Sequence, residues 1–163
     1  MAVTLRGSGQ AIVQVVSGIK TDTSSTSSQT YSNISGLSAT ITPTNASNKI
    51  LVFLNIEGSN DGGNMAIQLL RNSTPIAIGT SATGVQLNVT LGAYYNNADA
   101  NKHGSAGITY LDSPATTSAV TYQAQFRTGN TGNSYINRGA GADNALYSLW
   151  SVSTITVMEI AYA

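Results

Sequence analysis

This sequence of 163 residues contains no cysteine, a single histidine and very few charged residues. The lack of cysteine excludes disulfide bonds, thiolate metal sites and cysteine nucleophiles. Lys and Arg together number seven, as do Asp and Glu, and these charged residues make up 9% of the chain, whereas about 25% is usual for a globular domain. Few groups are therefore available for acid–base chemistry, and the composition argues against an enzyme.

The low charge and the short apolar runs also limit the partners of the chain. The formal net charge is zero at pH 7, so there is no excess of positive charge to bind a phosphate backbone, and nucleic acid is not expected as a partner. The N-terminal residues lack the basic start and apolar stretch of a secretion signal. The longest apolar runs have about six residues, far fewer than the roughly 20 that cross a bilayer. We therefore expect synthesis in the cytoplasm and no membrane insertion.

Ser, Thr and Asn take the polar positions instead, with 20, 20 and 15 residues. A surface of hydroxyls and amides with little charge does not keep copies of itself apart by electrostatic repulsion. Apolar residues make up 41% of the chain, which is enough for one folded core at this length. This composition indicates a building material or a binding module.

Apolar and polar residues alternate with period two, and no helical period recurs. Every second residue from Val120 to Phe126 is apolar, and segments 37–42 and 85–91 alternate in the same way, which is typical of strands with one buried face. Gly, Pro, Asn and Asp residues separate such segments at short intervals. The pattern predicts about ten strands, near 11–19, 25–32, 37–42, 48–57, 64–71, 75–79, 85–95, 105–112, 119–127 and 146–161, the last with room for two.

Short strands at this spacing predict an all-β fold, and an antiparallel β-sandwich of the jelly-roll type is the first choice. One domain is expected over residues 11–163. Residues 1–10 contain Gly7 and Gly9 and lead into the first strand, so they are expected to form an N-terminal arm.

Two of the predicted strands, 50–54 and 155–160, are apolar on both faces. Such a strand is either central and covered by loops, or has an outer face that meets another subunit. The position of the second strand near the C-terminus favours an oligomer, and we select Ile155, Val157 and Glu159 as candidate interface residues.

Two further residues follow from the same hypothesis. Glu159 shares a face with apolar neighbours and needs a partner, which Arg71 or Lys49 would supply across a subunit contact. Trp150 is the only tryptophan and lies between Leu149 and Ser151, which indicates a core or interface position.

Candidate catalytic and metal-binding residues are few. His103 lacks a marked nucleophile, because no Gly-x-Ser-x-Gly motif occurs, and it is interpreted as a solvated loop residue. One histidine without cysteine excludes an ordinary zinc site, and calcium needs more clustered carboxylates than the loops offer. We therefore predict no catalytic residue, no cofactor and no metal. Tyr94 and Tyr95, just before two asparagines, form the one aromatic cluster that suits a sugar-binding platform.

Five segments carry a resemblance to a known group: GQAIVQVV (9–16), GLSATITP (36–43), SNKILV (47–52), LDSPATTSAVTY (111–122) and STITVMEIA (153–161). Together they resemble a module common in tailed phages of marine and freshwater bacteria. The resemblance covers nearly the whole chain and is loosest over 59–105. It implies a trimeric β-sandwich similar in shape to tumour necrosis factor or complement heads, found in fibre tips and in small standalone virion proteins. No catalytic or binding residue transfers with it.

This resemblance gives two expectations for function. The first is a trimeric capsid decoration or cement protein, whose partners are copies of itself and the major capsid protein or other virion proteins, with the arm 1–10 contacting neighbouring subunits. The alternative is a short tail-fibre protein that recognises host surface glycans through its loops and Tyr94 and Tyr95. In both cases the protein acts in the virion after synthesis in the host cytoplasm.

Overall fold

A computed structural model describes residues 11–80, 83–94, 102–141, 144–146 and 148–161. The described chain is all-β, and it contains eleven strands and no helix. The strands are β1 (Ile12–Lys20), β2 (Ser24–Thr26), β3 (Ser32–Ile41), β4 (Lys49–Asn60), β5 (Asn64–Arg71), β6 (Thr74–Ile76), β7 (Leu91–Tyr94), β8 (Gly104–Asp112), β9 (Val120–Thr128), β10 (Ser134–Ile136) and β11 (Ser153–Ile160).

The strands form two antiparallel sheets. Sheet I has β1, β11, β4 and β8 side by side, and β10 and β2 extend it beyond the end of β11. The strand β4 is the longest, and it pairs along one edge with β11 and β10 and along the other with β8. Sheet II has the order β3, β9, β5 and β6, and β7 also pairs with β5.

The core lies between the two sheets, as expected for a β-sandwich. Alternate residues of each strand point inward, so that even-numbered residues of β4 and odd-numbered residues of β11 are buried. The inner faces of both sheets contribute large apolar side chains that are almost fully buried, among them Ile34, Leu37, Ile50, Ile56, Ile67, Leu69, Tyr122 and Ile155. Burial of this apolar surface is the main favourable term in folding.

A buried polar triad ties one end of the sandwich together. The Tyr122 hydroxyl donates a 2.7 Å hydrogen bond to Asp112 Oδ2, and Arg71 Nη1 lies 2.9 Å from Asp112 Oδ1. Burial, with the neighbouring Asp112 carboxylate, raises the pKa of the Tyr122 hydroxyl far above its ordinary value. The triad therefore joins β5, β8 and β9 as a neutral phenol bound to a carboxylate–guanidinium pair.

Most predicted strands are confirmed to within a few residues. The segment 64–71 coincides with β5, and 105–112 and 119–127 each match a strand shifted or extended by one residue. The gap between the predicted strands 25–32 and 37–42 is not a break, because β3 continues through it with a register shift and a positive φ of 81° at Gly36.

Three strand predictions are wrong. Segment 85–91 does not form a half-buried strand, because only Leu91–Tyr94 pairs with β5 and the Val85 side chain is 100% exposed. Segment 25–32 contains only the end of β2 and the first residue of β3. Within 146–161 one strand, β11, is present with an isolated bridge at Trp150, and β10 was not predicted at all.

The described part of the chain has no helix with the length and apolar character needed to cross a lipid bilayer. The predicted arm, residues 1–10, lies outside the described residues.

Candidate functional site

The outer faces of the two sheets differ in chemistry. The outer face of sheet II carries a ladder of amides, in which Gln68 Nε2 donates to Gln125 Oε1 at 2.8 Å and Gln125 Nε2 donates to Asn33 Oδ1 at 2.7 Å. Beside it the hydroxyls of Thr40 and Thr121 are 2.7 Å apart. These polar groups satisfy one another and face outward, as expected for a solvated surface.

The outer face of sheet I carries a row of apolar side chains. The strand register places Val15, Met158, Leu51 and Leu111 side by side in one row across four strands. Val15 and Leu111 are each 51% exposed, and the two central residues are half-buried. Other exposed apolar side chains on this face are Val13, Ile19 and Phe53. We call this surface the sheet I outer face.

Charge is nearly absent from the sheet I outer face. Among the outward-pointing residues of β1, β4, β8 and β11, the charged side chains are Lys49 and Glu57, which lie towards opposite ends of β4. The exposed fractions of these apolar side chains correspond to about 400 Å², which is within the range of the largest patch on a typical monomer, and such patches are often functional.

A depression of about 230 Å³ interrupts the sheet I outer face. The depression lies where the register aligns Thr154, Asn55 and Gly107. It forms because glycine has no side chain and the flanking Phe53 side chain is larger than its neighbours. The lining consists of Phe53, Leu54, Asn55, Gly107, Ile108, Thr109 and Thr154.

Exposed apolar side chains continue beyond one end of β11. Trp150 is 64% exposed and Leu149 is 62% exposed, while Val152 and Leu146 are also exposed. We call residues 149–152 the tryptophan segment. A backbone hydrogen bond from Ser151 N to the carbonyl oxygen of Asn137 anchors it.

Residues next to the tryptophan segment fix its position. Arg138 forms an isolated antiparallel bridge with Trp150, and its guanidinium lies 4.3 Å from the centroid of the Tyr135 ring. The Asn137 side chain donates to the carbonyl oxygens of Lys20 and Asp22 at 2.8 Å each and accepts a 2.7 Å bond from the Ser153 hydroxyl. The segment is thus held where β1, β10 and β11 meet.

Three of the four candidate interface residues do not lie on a surface. Ile155, Val157 and Glu159 point between the sheets and are each 0% exposed within the single chain. The prediction that these three residues form a subunit interface is therefore wrong. The even-numbered residues of β11 point outward instead. The fourth candidate, Trp150, is on the surface, so a core position for it is wrong and its interface role stays a prediction.

The expected partners of Glu159 are also wrong. Its Oε1 accepts hydrogen bonds from Asn48 Nδ2 at 2.6 Å and from the backbone and hydroxyl of Thr44 at 2.7 and 2.8 Å, and its Oε2 accepts one from Gln14 Nε2 at 2.6 Å. Burial raises the pKa of this carboxyl, but the hydrogen bonds from Asn48, Gln14 and Thr44 outweigh it and lower the pKa to about 2.

These hydrogen bonds offset the cost of burying the Glu159 carboxylate, a role that was expected of a cation across a subunit contact. The two proposed cations have other contacts, because Arg71 pairs with Asp112 and Lys49 donates a 2.9 Å bond to the Ser113 hydroxyl. Glu159 therefore ties β11 to β1 and to the turn before β4 within one chain.

One of the two glycan candidates, Tyr94, ends a strand beside a second cavity. Tyr94 ends β7, where its backbone pairs with Asn64, and Tyr95 lies outside the described residues. An open groove of about 550 Å³ lies next to the paired residues Asn64 and Tyr94, on the outer side of sheet II. Its lining combines amides and exposed apolar side chains: Asn64, Met65, Ala66, Val85, Gln86, Leu87, Val89, Gly92, Gly129 and Asn130.

The described part of the chain shows where some of the candidates for metal or acid–base chemistry lie. His103 lies just before β8, at the edge of sheet I. Within the described ranges no three His, Cys, Asp or Glu side chains come together in a way that would hold a metal ion.

Comparison with known proteins gives no family assignment, since no family model and no curated protein matches this sequence.

Sequence reasoning missed the apolar row on the sheet I outer face. The two-sided apolar character of 50–54 and 155–160 was the correct signal, but the more apolar set of β11 is the buried one. Val15 and Leu111 were not selected, because the row that they form with Leu51 and Met158 exists only after four distant strands align.

Proposed function

We propose that this chain is a virion structural protein, a homotrimeric decoration or cement protein of a phage capsid that binds copies of itself and the capsid beneath. The observation that carries the proposal is the set of exposed apolar side chains on the outer face of sheet I, where charge is nearly absent, whereas the outer face of sheet II presents a satisfied polar ladder. A surface of this kind remains exposed at a cost unless another protein surface covers it.

The proposal includes a jelly-roll fold, and the strand order supports this fold. Successive long strands alternate between the sheets: β3 lies in sheet II, β4 in sheet I, β5 in sheet II, β8 in sheet I, β9 in sheet II and β11 in sheet I. A jelly roll consists of two such antiparallel sheets connected by Greek keys. The jelly roll is common in capsid and lectin domains, which fits both functions under consideration.

The chemistry of the surface supports contact rather than catalysis. The outward residues of the four central strands of sheet I are aliphatic, aromatic, hydroxyl or amide side chains, apart from Lys49 and Glu57. An enzyme positions titratable groups together where bonds change, and the two on this face, Lys49 and Glu57, lie towards opposite ends of β4. We therefore propose a non-enzymatic role in the virion.

The copy number of the chain in purified particles tests the proposal. Quantitative mass spectrometry against the major capsid protein is expected to give hundreds of copies per particle for a decoration protein. A count of a few to tens places the chain on the tail and refutes decoration. If the chain is absent from purified particles, both virion functions are refuted.

The groove on sheet II favours a second candidate, a tail protein that binds host glycans. Ligand sites are concave and combine apolar walls with a few polar groups, as the groove does with Leu87, Asn64 and Asn130. A Cβ atom at Gly92 would meet nothing within 4 Å, so a larger side chain there would occupy space next to the groove without displacing its neighbours.

Glycan-array binding tests this second candidate. If the groove binds sugars, Gly92→Leu is expected to abolish the wild-type binding pattern, while Thr117→Leu, an exposed residue in the loop between β8 and β9, leaves it unchanged. No glycan binding by the wild type, or equal binding by both variants, contradicts a glycan site in the groove.

A further inference from the structure

The sheet I outer face and the tryptophan segment provide a protrusion and a depression on the same chain. We propose that the occupant of the depression lined by Phe53, Gly107 and Thr154 is the tryptophan segment of a second copy, with Trp150 as the inserted side chain. This inference rests on the proposed self-association and adds the residues that make the contact.

The chemistry of the two parts is complementary. Trp150 is the only tryptophan of the chain and is 64% exposed, although aromatic side chains contribute most when they are buried in a pocket of a partner. The depression of about 230 Å³ is shallow and has Phe53 on one side, and a large aromatic ring that lies in it contacts the Phe53 ring. Asn55 and Thr109 add polar groups at its border, within reach of an indole N–H that needs an acceptor.

The spacing of the two parts requires a second copy. Thr154 borders the depression, and Trp150 lies four residues before it, which is about 13 Å along an extended chain. The exposed Trp150 thus lies outside the depression of its own chain. A protrusion that enters a depression elsewhere on the next copy makes a heterologous contact, in which every copy inserts once and receives once. Heterologous contacts close into a ring when the rotation between successive copies allows it, and a ring of three is the proposed trimer.

The size and charge of the surface suit this occupant. Four strands about 4.8 Å apart and about eight residues long present a face of roughly 500 Å² in projection. In each contact one copy contributes this face and the next copy contributes the tryptophan segment, and the face alone is of the order of the about 800 Å² that stable interfaces bury on each partner. Lys49 and Glu57 carry one charge of each sign, so copies of the face do not repel one another.

The tryptophan segment is held in position before any contact forms. The bond from Ser151 N to the carbonyl of Asn137, at 3.0 Å, and the bridge between Arg138 and Trp150 attach it to the end of β10. A rigid protrusion loses little conformational entropy when it binds, which favours association.

The single tryptophan makes the test direct. Sedimentation velocity and tryptophan emission are measured on the full chain over a dilution series. We expect the emission of the oligomer to lie at shorter wavelength than that of the monomer, because the contact removes Trp150 from water, and we expect the two transitions to coincide.

Three variants separate the contact from general effects on folding. Trp150→Ala removes the protrusion, and Thr109→Phe fills the depression; each is expected to weaken association about 30-fold or more, the effect of losing an interface anchor. Leu87→Ala truncates an exposed apolar side chain in the sheet II groove instead, and it is expected to associate like the wild type.

The outcomes distinguish this inference from the proposed function. An oligomer whose emission does not change on dilution, or a Trp150→Ala variant that associates as tightly as the wild type, overturns the inference and leaves the decoration function standing. A wild-type chain that stays monomeric at every concentration overturns both. If Trp150→Ala does not fold, the wild-type emission and Thr109→Phe still decide.

Discussion

Glu159 is a buried carboxylate that hydrogen bonds hold in its ionised form, and its replacement by glutamine gives a sharp test of the fold. Four hydrogen bonds from Gln14, Thr44 and Asn48 reach its two oxygens. In Glu159→Gln one acceptor oxygen becomes an NH₂ group, which faces N–H donors instead of accepting from them. The variant therefore loses contacts that join β11 to β1 and to the turn before β4.

The magnitude follows from the pKa of this group. Its folded pKa of about 2 lies below the ordinary value of 4.5, so the ionised form stabilises the fold. The difference corresponds to about 3 kcal/mol, and solvent at the exposed Thr44 reduces this to about 2 kcal/mol. Because the folded pKa is lowered, this stabilisation is fully present above pH 4.5 and is lost as the pH falls from 4.5 to about 2.

Urea denaturation at a fixed protein concentration measures this effect. At pH 7 we expect the free energy of unfolding of Glu159→Gln to be about 2 kcal/mol below that of the wild type. This difference in the free energy of unfolding is expected to shrink as the pH falls from 4.5 to about 2. The contributions of the other carboxylates cancel in the comparison, because they titrate in both proteins.

The matched control is Glu57→Gln, which makes the same chemical change on the sheet I outer face, and we expect it to alter stability by less than about 0.5 kcal/mol. Equal stabilities of Glu159→Gln and wild type at pH 7, or a difference that does not depend on pH, would refute the role assigned to Glu159.

Three further predictions concern interior residues and are tested by urea denaturation at pH 7. Asp112→Ala removes the partner of Arg71 and is expected to cost about 3 kcal/mol, and a loss below about 1 kcal/mol would contradict the buried ion pair. Asn137→Ala deletes bonds between strand ends and keeps a φ of 65° that alanine disfavours, so we expect a loss of about 2–3 kcal/mol, and Asn137→Gly should recover part of it. Ile155→Ala is expected to cost about 2–5 kcal/mol and Thr154→Ala less than about 1 kcal/mol, and equal effects would mean that the inward and outward faces of β11 are misassigned.

Strands with one apolar and one polar face could be predicted from the sequence with good accuracy. In β9 the inward residues from Val120 to Phe126 are apolar and the outward ones are polar, so the period alone gives both the strand and its buried face. The three-residue strand β10 is too short to show any period. Its pairing with β4 and β2 is decided by tertiary contacts that local sequence does not encode.

The segment 85–91 shows how alternation can mislead. Its apolar residues alternate as in β9, yet Val85 is exposed and the chain turns, with a backbone bond from Gln86 N to the carbonyl oxygen of Thr83. The strand begins only at Leu91, where β5 offers an edge to pair with. Period two in a sequence indicates a suitable strand, but an available partner strand decides whether it forms.

The candidate surface was only partly predictable for a related reason. The interface hypothesis relied on apolar residues on both faces of β11, and burial favours the more apolar face, so Ile155 and Val157 point inward while Thr154 and Thr156 point outward. The apolar character of the outer face comes from Val15, Leu51, Met158 and Leu111, and only the strand register brings them into one row.

The solution mass of the purified full chain tests self-association most directly. Light scattering at high protein concentration is expected to give three times the chain mass of 16.8 kDa, falling on dilution as the contact dissociates. A mass of 16.8 kDa at every concentration would contradict the view that the sheet I outer face exists to be covered by another copy.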